Sequence, residues 1–311
     1  MVPMSLQQTV QEQVLQRLGK VGVEARQAVE SALVGQHRSV HRGLSVEFAG
    51  HRPYQPGDDL RRLDWIVYAR TDRYDIRLFE EETRLRATLV VDASGSMGYG
   101  SGVRNHGVEH ITKLDYARWL AASLGFLMLR QSDAVGLAIC DTEVRTHLPP
   151  ASTMGHFLTV LDQLQERTPG GETSLASVLE TLAARLSRRG LVILITDGFD
   201  DPERLLMSLR YLRHRKQDVR IFQIVDPQEE RFAFPGMIEF IGLEHEPRLK
   251  LDGDRVRSWY QKALAEHRHV LAQGCHAINV QLETLRTDED LAFALVRILS
   301  AASGRATAVR Q

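Results

Sequence analysis

The chain has 311 residues, of which 43% are hydrophobic and 25% are charged. This length corresponds to about two average domains, and the composition excludes low-complexity, collagen-like and disordered chains. Lys and Arg number 39 and Asp and Glu number 40, for a net charge of -1. Because no net positive field attracts polyanions, we predict no nucleic-acid partner and no electrostatic attachment to a membrane.

The cysteines and the N-terminus bear on the cellular compartment. Cys140 and Cys275 match no zinc-site or redox-motif spacing, so we expect buried, unpaired thiols in a reducing environment. The N-terminus lacks the basic start, apolar core and cleavage site of a signal peptide. The most apolar stretch, 119–129, is about half as long as the ~20 residues of a membrane-spanning helix. We therefore predict a cytoplasmic protein without direct membrane insertion.

Two regions interrupt an otherwise regular pattern of strands and helices. Residues 1–34 have helical patterning, whereas residues 35–86 are rich in Arg, Gly and Asp and contain short strand-like pieces. Between 226 and 253, Phe, Ile and Leu alternate with polar and turn residues. We predict an N-terminal helical segment, an accessory β-rich subdomain formed by 35–86 together with 226–253, and a main domain formed by 87–225 together with 254–302.

The main domain alternates short β-branched runs with amphipathic stretches, which is typical of a parallel sheet covered on both faces. We predict a doubly wound, mostly parallel six-stranded α/β sheet, whose edge strand 143–147 pairs antiparallel with 134–140. The predicted strands are TLVVD (88–92), AVGLAIC (134–140), EVRTH (143–147), LVILIT (191–196), VRIFQIV (219–225) and AINVQL (277–282). The predicted helices are Lys113–Arg130, Met154–Glu166, Thr173–Arg189, Pro202–Lys216, Asp254–Gln273 and Asp288–Ala302.

The strongest local signal is DASGS (92–96), which follows the first strand of the predicted sheet. Ligands of open α/β sheets bind at the carboxyl ends of the strands. A turn here brings the Asp92 carboxylate and the hydroxyls of Ser94 and Ser96 together, and Gly95 permits a tight backbone path. A small set of hard oxygen ligands suits Mg²⁺ better than zinc or copper, which favour His or Cys.

Two further residues supply oxygen at the same end of the sheet. Thr173 follows the flexible loop 169–172 and precedes a predicted helix, so its hydroxyl can point back across the sheet. Asp197 ends the strand LVILIT, in the same placement as Asp92. We expect the strands that end in these two acids to be neighbours, which would bring both carboxylates to one cation.

These five residues resemble a known site. DASGS, Thr173 within GGETSL and Asp197 within LITDG are similar to the metal-ion-dependent adhesion site of von Willebrand factor A domains. The resemblance implies that Ser94, Ser96 and Thr173 bind Mg²⁺ through their hydroxyls, with Mn²⁺ or Ca²⁺ as possible substitutes. It further implies that Asp92 and Asp197 act directly or through water, and that an acidic side chain of a partner protein completes the coordination shell.

The residues before the sheet resemble a more specific protein family. Residues 35–82 resemble the conserved block of bacterial DUF58 proteins, RxYxPGDDxRxxDW followed by an Ala-Arg pair, and the similarity covers about residues 30–300. The resemblance implies an adaptor or co-chaperone role beside a MoxR-type AAA+ ATPase, with a client protein that the sequence does not identify. The matching residues are Arg52, Tyr54, Pro56, Gly57, Asp58, Asp59, Arg61, Asp64, Trp65, Ala69 and Arg70.

Other functions find less support in the sequence. In block 35–86 acids nearly balance bases and the aromatic residues form no stacking motif, so two interpretations stay open: ion pairs around a turn at Asp58 and Asp59, or a surface for the ATPase. The Gly-rich loop 98–112 lacks the Lys and Ser/Thr of a P-loop, and we expect it to be mobile and to shape the binding face. The histidines form no HExxH motif.

An enzymatic function is the alternative to a binding function. Ser94 and Ser96 lack the GxSxG nucleophile elbow, and no motif places a histidine as their base. A metal hydrolase generally needs a base or a second metal beside the first. We therefore predict a non-enzymatic, Mg²⁺-dependent protein-binding module. A metal-dependent hydrolase of phosphate esters is the competing hypothesis.

Overall fold

A computed structural model describes residues 48–55, 63–79, 85–102, 110–186, 189–244 and 246–308. The chain divides into a small unit, His37–Arg84, and a larger unit that contains Leu85–Gln311. The helices predicted for residues 1–34 lie outside the described residues, as do Pro56, Gly57, Asp58, Asp59 and Arg61 of the N-terminal block.

The described residues of the small unit form two paired strands and one short helix. Strand β1 (Phe48–Pro53) pairs antiparallel with β2 (Asp75–Phe79), and helix α1 (Trp65–Thr71) lies between them in sequence. The Asp64 carboxylate accepts a hydrogen bond from the Val67 amide at 3.2 Å, which satisfies a free N–H group in the first turn of α1.

The larger unit is built on a six-stranded sheet of order β10-β7-β6-β3-β4-β5. Strand β5 runs antiparallel to β4, and the other neighbouring strands are parallel. This arrangement confirms the predicted doubly wound, mostly parallel six-stranded sheet. The strands of this unit are β3 (Arg86–Asp92), β4 (Ala134–Cys140), β5 (Val144–Ala151), β6 (Gly190–Thr196), β7 (Gln217–Val225), β8 (Met237–Phe240), β9 (Leu249–Asp252) and β10 (Gln281–Arg286).

Helices cover both faces of the sheet. On one face α2, α3 and α8 enclose one buried apolar cluster, and on the other α4, α5 and α7 enclose a second. Consecutive residues of β3 point to opposite faces, so Leu89 belongs to the first cluster and Val90 to the second. The helices are α2 (Lys113–Arg130), α3 (Met154–Glu166), α4 (Leu175–Arg185), α5 (Pro202–His214), α6 (Pro227–Arg231), α7 (Gly253–Ala277) and α8 (Leu291–Ala308).

The last predicted strand was misplaced. The helix that was expected to stop at Gln273 continues to Ala277, and the strand occupies 281–286 rather than 277–282. Gly274 does not end the helix. A Cβ atom at this position would lie 2.2 Å from the Cδ1 atom of Leu206, so the glycine allows α7 to pack closely on α5.

The segment 226–253 groups with the main sheet and not with the small unit. Strands β8 and β9 pair with each other antiparallel. The rings of Phe232 and Tyr260 stack at 4.3 Å and those of Phe232 and Phe240 at 5.6 Å, which fixes this hairpin against α7. This division differs from the predicted joining of 226–253 with 35–86, because the hairpin runs directly into α7 and packs on it.

Cys140 and Cys275 are both free and buried, as predicted. Among the helices within the described ranges, none combines the length and apolarity needed to cross a bilayer.

Candidate metal centre

The two acids of the predicted site lie at the ends of neighbouring strands. Asp92 ends β3, and Asp197 follows the last residue of β6. These strands pair in parallel, which confirms the expected adjacency. Both carboxylates are fully buried, so the structure brings two negative side chains together beneath the surface.

Asp92 is held by two hydrogen bonds. Its Oδ1 atom accepts from the Ser94 amide at 3.0 Å, and its Oδ2 atom accepts from the Thr196 hydroxyl at 2.7 Å. Burial, with the nearby Asp197 charge, raises the pKa of Asp92 to about 7. A cation bound here would favour the ionised carboxylate and so oppose both of these effects.

The three predicted hydroxyl ligands lie in two loops that hydrogen bond to each other. Ser94 and Ser96 have their hydroxyl oxygens 3.2 Å apart. Thr173 precedes α4, which begins two residues later than the predicted helix start, so its hydroxyl belongs to a loop. The Gly95 amide donates to the Gly171 carbonyl at 2.9 Å, which fixes the loop containing Thr173 beside the DASGS turn.

An acid that the sequence analysis did not identify lies on this loop pair. The Oε1 atom of Glu244 accepts from the Ser96 amide at 2.9 Å and from the Thr173 hydroxyl at 2.7 Å. Its Oε2 atom accepts from the Thr173 amide at 2.9 Å. These hydrogen bonds offset the effect of burial and lower the pKa of Glu244, so the group is an ionised carboxylate bound to two of the predicted ligand residues.

A buried lysine, also missed, lies on the Asp197 side of the site. Lys113 begins α2, and its ammonium group donates to Asp197 Oδ2 at 2.8 Å and to Glu229 Oε1 at 2.7 Å. The side chains of Lys113 and Asp197 are fully buried, and that of Glu229 is 16% exposed. Burial opposes the lysine charge, but the two carboxylates outweigh it and raise the pKa of Lys113.

Asp197 therefore suits an indirect role. Its Oδ2 atom bonds Lys113, and its Oδ1 atom accepts from the Phe199 amide at 3.3 Å. Both carboxylate oxygens of Asp197 thus already accept a hydrogen bond, and coordination of a cation through water would leave both contacts unchanged.

The set of oxygen atoms fits Mg²⁺ by its chemistry. Within the described ranges, no three His, Cys, Asp or Glu side chains cluster as a metal site. The candidate centre instead combines hydroxyls with a few carboxylates, which are ligands that hard cations prefer. Asp92 supplies the electrostatic reason for a cation, because burial and the Asp197 charge raise its pKa and a bound cation would favour its ionised form.

The structure thus places all five predicted residues at one end of the sheet. Ser96 and Thr173 share Glu244, Ser94 lies beside Ser96, and the two acids lie at the adjacent strand ends. Most of the Gly-rich loop predicted to shape the binding face, residues 103–109, lies outside the described part of the chain.

Sequence comparison finds relatives without assigned functions. The chain is 28% identical over 279 residues to the uncharacterized protein Rv1480 of Mycobacterium tuberculosis and to the uncharacterized protein Mb1516 of Mycobacterium bovis. Each match covers 88% of this chain and 85% of the relative.

Structural comparison finds similar chains at low sequence identity. BatB from Bacteroides thetaiotaomicron is 14% identical with a TM-score of 0.45, and the match covers 70% of this chain and 98% of that chain. An aerotolerance-related membrane protein from Bacteroides fragilis is 15% identical with a TM-score of 0.43, covering 68% and 96%. The SpRpn10 VWA domain is 11% identical with a TM-score of 0.39, covering 68% and 94%.

A family match covers most of the chain. The family described as "Protein of unknown function DUF58" matches residues 50–270, which include both the small unit's helix and the candidate metal centre. The chain belongs to the DUF58 family.

Proposed function

We propose that this protein is a non-enzymatic, Mg²⁺-dependent protein-binding module. It acts as an adaptor or co-chaperone with a MoxR-type AAA+ ATPase in the assembly or activation of protein complexes. The observation that carries the proposal is the meeting of three hydroxyls, two buried acids and a bound carboxylate at one end of the sheet.

The need for a cation follows from the buried charges. Asp92, Asp197, Glu229 and Glu244 bring four carboxylates to this end of the larger unit, and Lys113 bonds two of them. A divalent cation bound by Ser94, Ser96 and Thr173 would stabilise the charge of Asp92 without displacing Lys113. Mg²⁺ fits this mixed oxygen set, and Mn²⁺ or Ca²⁺ can substitute for it.

Recognition of an acidic partner follows from the same geometry. The position beside Ser96 and Thr173 binds a carboxylate through backbone N–H groups and a hydroxyl, which Glu244 demonstrates with three hydrogen bonds. An Asp or Glu side chain of a client, or of the ATPase, would bind in this position and complete the coordination of the cation.

The identity of the ATPase rests on the resemblance of the N-terminal block. In that block the rings of Trp65, Tyr68 and Tyr74 contact one another in series, and Trp65 and Tyr74 are 62% and 51% exposed, which supports the interpretation of the small unit as a surface for the ATPase. The buried free thiols of Cys140 and Cys275 support a reducing, cytoplasmic location.

The proposal is tested by the affinity of the purified protein for a co-purified MoxR-type ATPase. We would measure binding with Mg²⁺, with EDTA, and with Asp92→Ala in Mg²⁺. We expect EDTA and the substitution to weaken binding similarly, because both remove the cation. Equal binding under all three conditions would contradict the metal-mediated contact. Release of phosphate from a generic ester, lost in Asp92→Ala, would favour the hydrolase instead.

A further inference from the structure

Glu244 hydrogen bonds to two of the residues that are predicted to hold the cation. Its carboxylate receives one hydrogen bond from Ser96 and two from Thr173, all between 2.7 and 2.9 Å. Each donor belongs to a residue of the candidate cation site, and both oxygens of the carboxylate are used. Charge-assisted bonds of this length are among the stronger hydrogen bonds of proteins.

The main chain around Glu244 is fitted to the site. A Cβ atom on Gly95 would lie 2.2 Å from the Leu243 carbonyl oxygen, so the backbone of residues 241–244 can approach the DASGS turn only because residue 95 is a glycine. We call residues 241–244 the Glu244 loop. The Glu246 carboxylate accepts from the Glu244 amide at 2.8 Å, which supports the position of the loop.

The contact is also placed where it can open. Glu244 is only partly buried, and its neighbours Ile241 and Leu243 are 61% and 52% exposed. The loop lies in the connection between β8 and β9, which are strands of only four residues each. Because partly exposed polar contacts on a loop separate more readily than buried ones, an acid from another molecule can replace this one.

We propose that Glu244 is an intramolecular carboxylate ligand of the candidate cation site, which must leave before a partner's acid can bind. The inference rests on the proposed Mg²⁺-dependent function and adds its regulation: the Glu244 loop competes with the partner. A partner binds only those molecules in which the Glu244 loop has left the site, which we call the open state. Removing the loop contact should therefore increase the apparent affinity for the partner by the reciprocal of the fraction of molecules in the open state.

The test uses the full chain with two measurements. Mn²⁺ binding is followed by electron paramagnetic resonance. Binding of a glutamate side chain is followed in Mg²⁺ by the NMR shifts of the Ser96 and Thr173 amides, with N-acetyl-glutamic acid amide as the probe. The variants are Glu244→Ala and Gly95→Ala. Gly95→Ala keeps every predicted ligand residue. Residue 95 has αR backbone angles, which alanine adopts readily, and the added Cβ atom would push the Leu243 carbonyl away.

The matched control is Glu239→Ala, which removes the same charge from an exposed position of β8. We expect Mn²⁺ to bind all four proteins. The probe should bind Glu244→Ala and Gly95→Ala more tightly than wild type and the control, by on the order of tenfold if the open state is about a tenth of the population.

Two results would separate failure of this inference from failure of the proposed function. Equal probe affinity in wild type and in both loop variants, with Mn²⁺ bound to all, would overturn the competition by Glu244 and leave the cation site intact. Absence of Mn²⁺ binding from every protein would overturn the cation site itself, and the inference with it.

Discussion

The two sides of the candidate centre differ in how deeply their charged contacts are buried. On the acid side, defined by Asp197, Lys113 and Glu229, the lysine and Asp197 are fully buried. On the hydroxyl side, defined by Ser94, Ser96, Thr173 and Glu244, the carboxylate is a partly exposed loop residue. On the acid side the carboxylates therefore bind a buried cationic side chain, and on the hydroxyl side the hydrogen-bond donors bind a partly exposed carboxylate.

Burial determines which of these internal partners can be exchanged. Separating Lys113 from Asp197 would leave a charge in a medium that solvates it poorly, so the acid side is structural. Separating Glu244 from Thr173 exposes both to water, which replaces the lost hydrogen bonds at small cost. We therefore expect substitutions on the acid side to reduce the stability of the fold strongly. Substitutions on the hydroxyl side and at Asp92 should mainly change binding.

The largest expected effect is on folding. Lys113→Met removes the positive charge and leaves the fully buried Asp197 carboxylate beside the partly buried one of Glu229, so we expect the free energy of unfolding to fall by about 3–5 kcal/mol. Urea denaturation measures this loss. Arg297→Met, which removes ion pairs from a side chain that is 49% exposed, is the control and should cost about 1 kcal/mol or less. Equal losses in the two variants would mean that the buried ion pairs of Lys113 stabilise the fold no more than the exposed ion pairs of Arg297.

The second effect is on cation binding through Asp92. Asp92→Asn keeps an oxygen for the Ser94 amide but removes the negative charge, so the protein should stay folded and lose its response to Mg²⁺. For wild type, Mg²⁺ at a hundred times its dissociation constant should add about 2.7 kcal/mol to the stability. Thermal unfolding with and without Mg²⁺ measures both. If Mg²⁺ stabilises Asp92→Asn as much as it stabilises wild type, Asp92 is not part of the cation site.

The third effect is a dependence on pH. The pKa of Asp92 is raised from 3.8 to about 7, so without a cation its ionisation destabilises the fold increasingly as pH rises between these values. Above about pH 7 the cation binds to a carboxylate that is already ionised. Below it, binding must release a proton, and affinity should fall by about tenfold per pH unit.

Calorimetry of Mn²⁺ binding in buffers of different ionisation enthalpy measures this proton directly. About one proton should be released at about pH 6, and nearly none at about pH 8. Cation affinity that does not change across this range would indicate that Asp92 is ionised throughout and is not coupled to the cation.

The smallest effect tests the hydroxyl side. Thr173→Val removes the hydroxyl that bonds Glu244 while keeping the side-chain shape, and should lower the stability of the cation-free protein by about 1 kcal/mol. Thr173→Ser retains the hydroxyl and is the matched control. A loss as large as that of Lys113→Met would mean that the hydroxyl side is also structural.

The sequence predicts the sheet and the five-residue motif because both are local patterns. The strand 134–140 and the helices 113–130 and 154–166 have the predicted bounds, since apolar periodicity and capping residues mark them. Ser94, Ser96 and the strand-end acids are recognisable for the same reason: each follows a predicted strand at fixed spacing.

The contacts that complete the site could not be predicted, because they join distant segments. Lys113 lies 84 residues from Asp197, and Glu244 lies 148 residues from Ser96. Lys113 begins a predicted helix like an ordinary surface lysine, and Glu244 is one of several acids in its segment. Only the tertiary fold brings them to the site. The end of α7 was misjudged for a similar reason, since Gly274 fits against Leu206 of another helix.

The central claim, that the hydroxyl side binds a divalent cation, is tested most directly by Mn²⁺ titration followed by electron paramagnetic resonance. The proteins are wild type, Ser94→Ala/Ser96→Ala, and the control Ser174→Ala/Ser177→Ala, whose exposed hydroxyls bond each other just beyond Thr173. We predict one bound Mn²⁺ in wild type and in the control, and none in the first double variant. Equal binding in all three, or no binding in wild type, would contradict the claim.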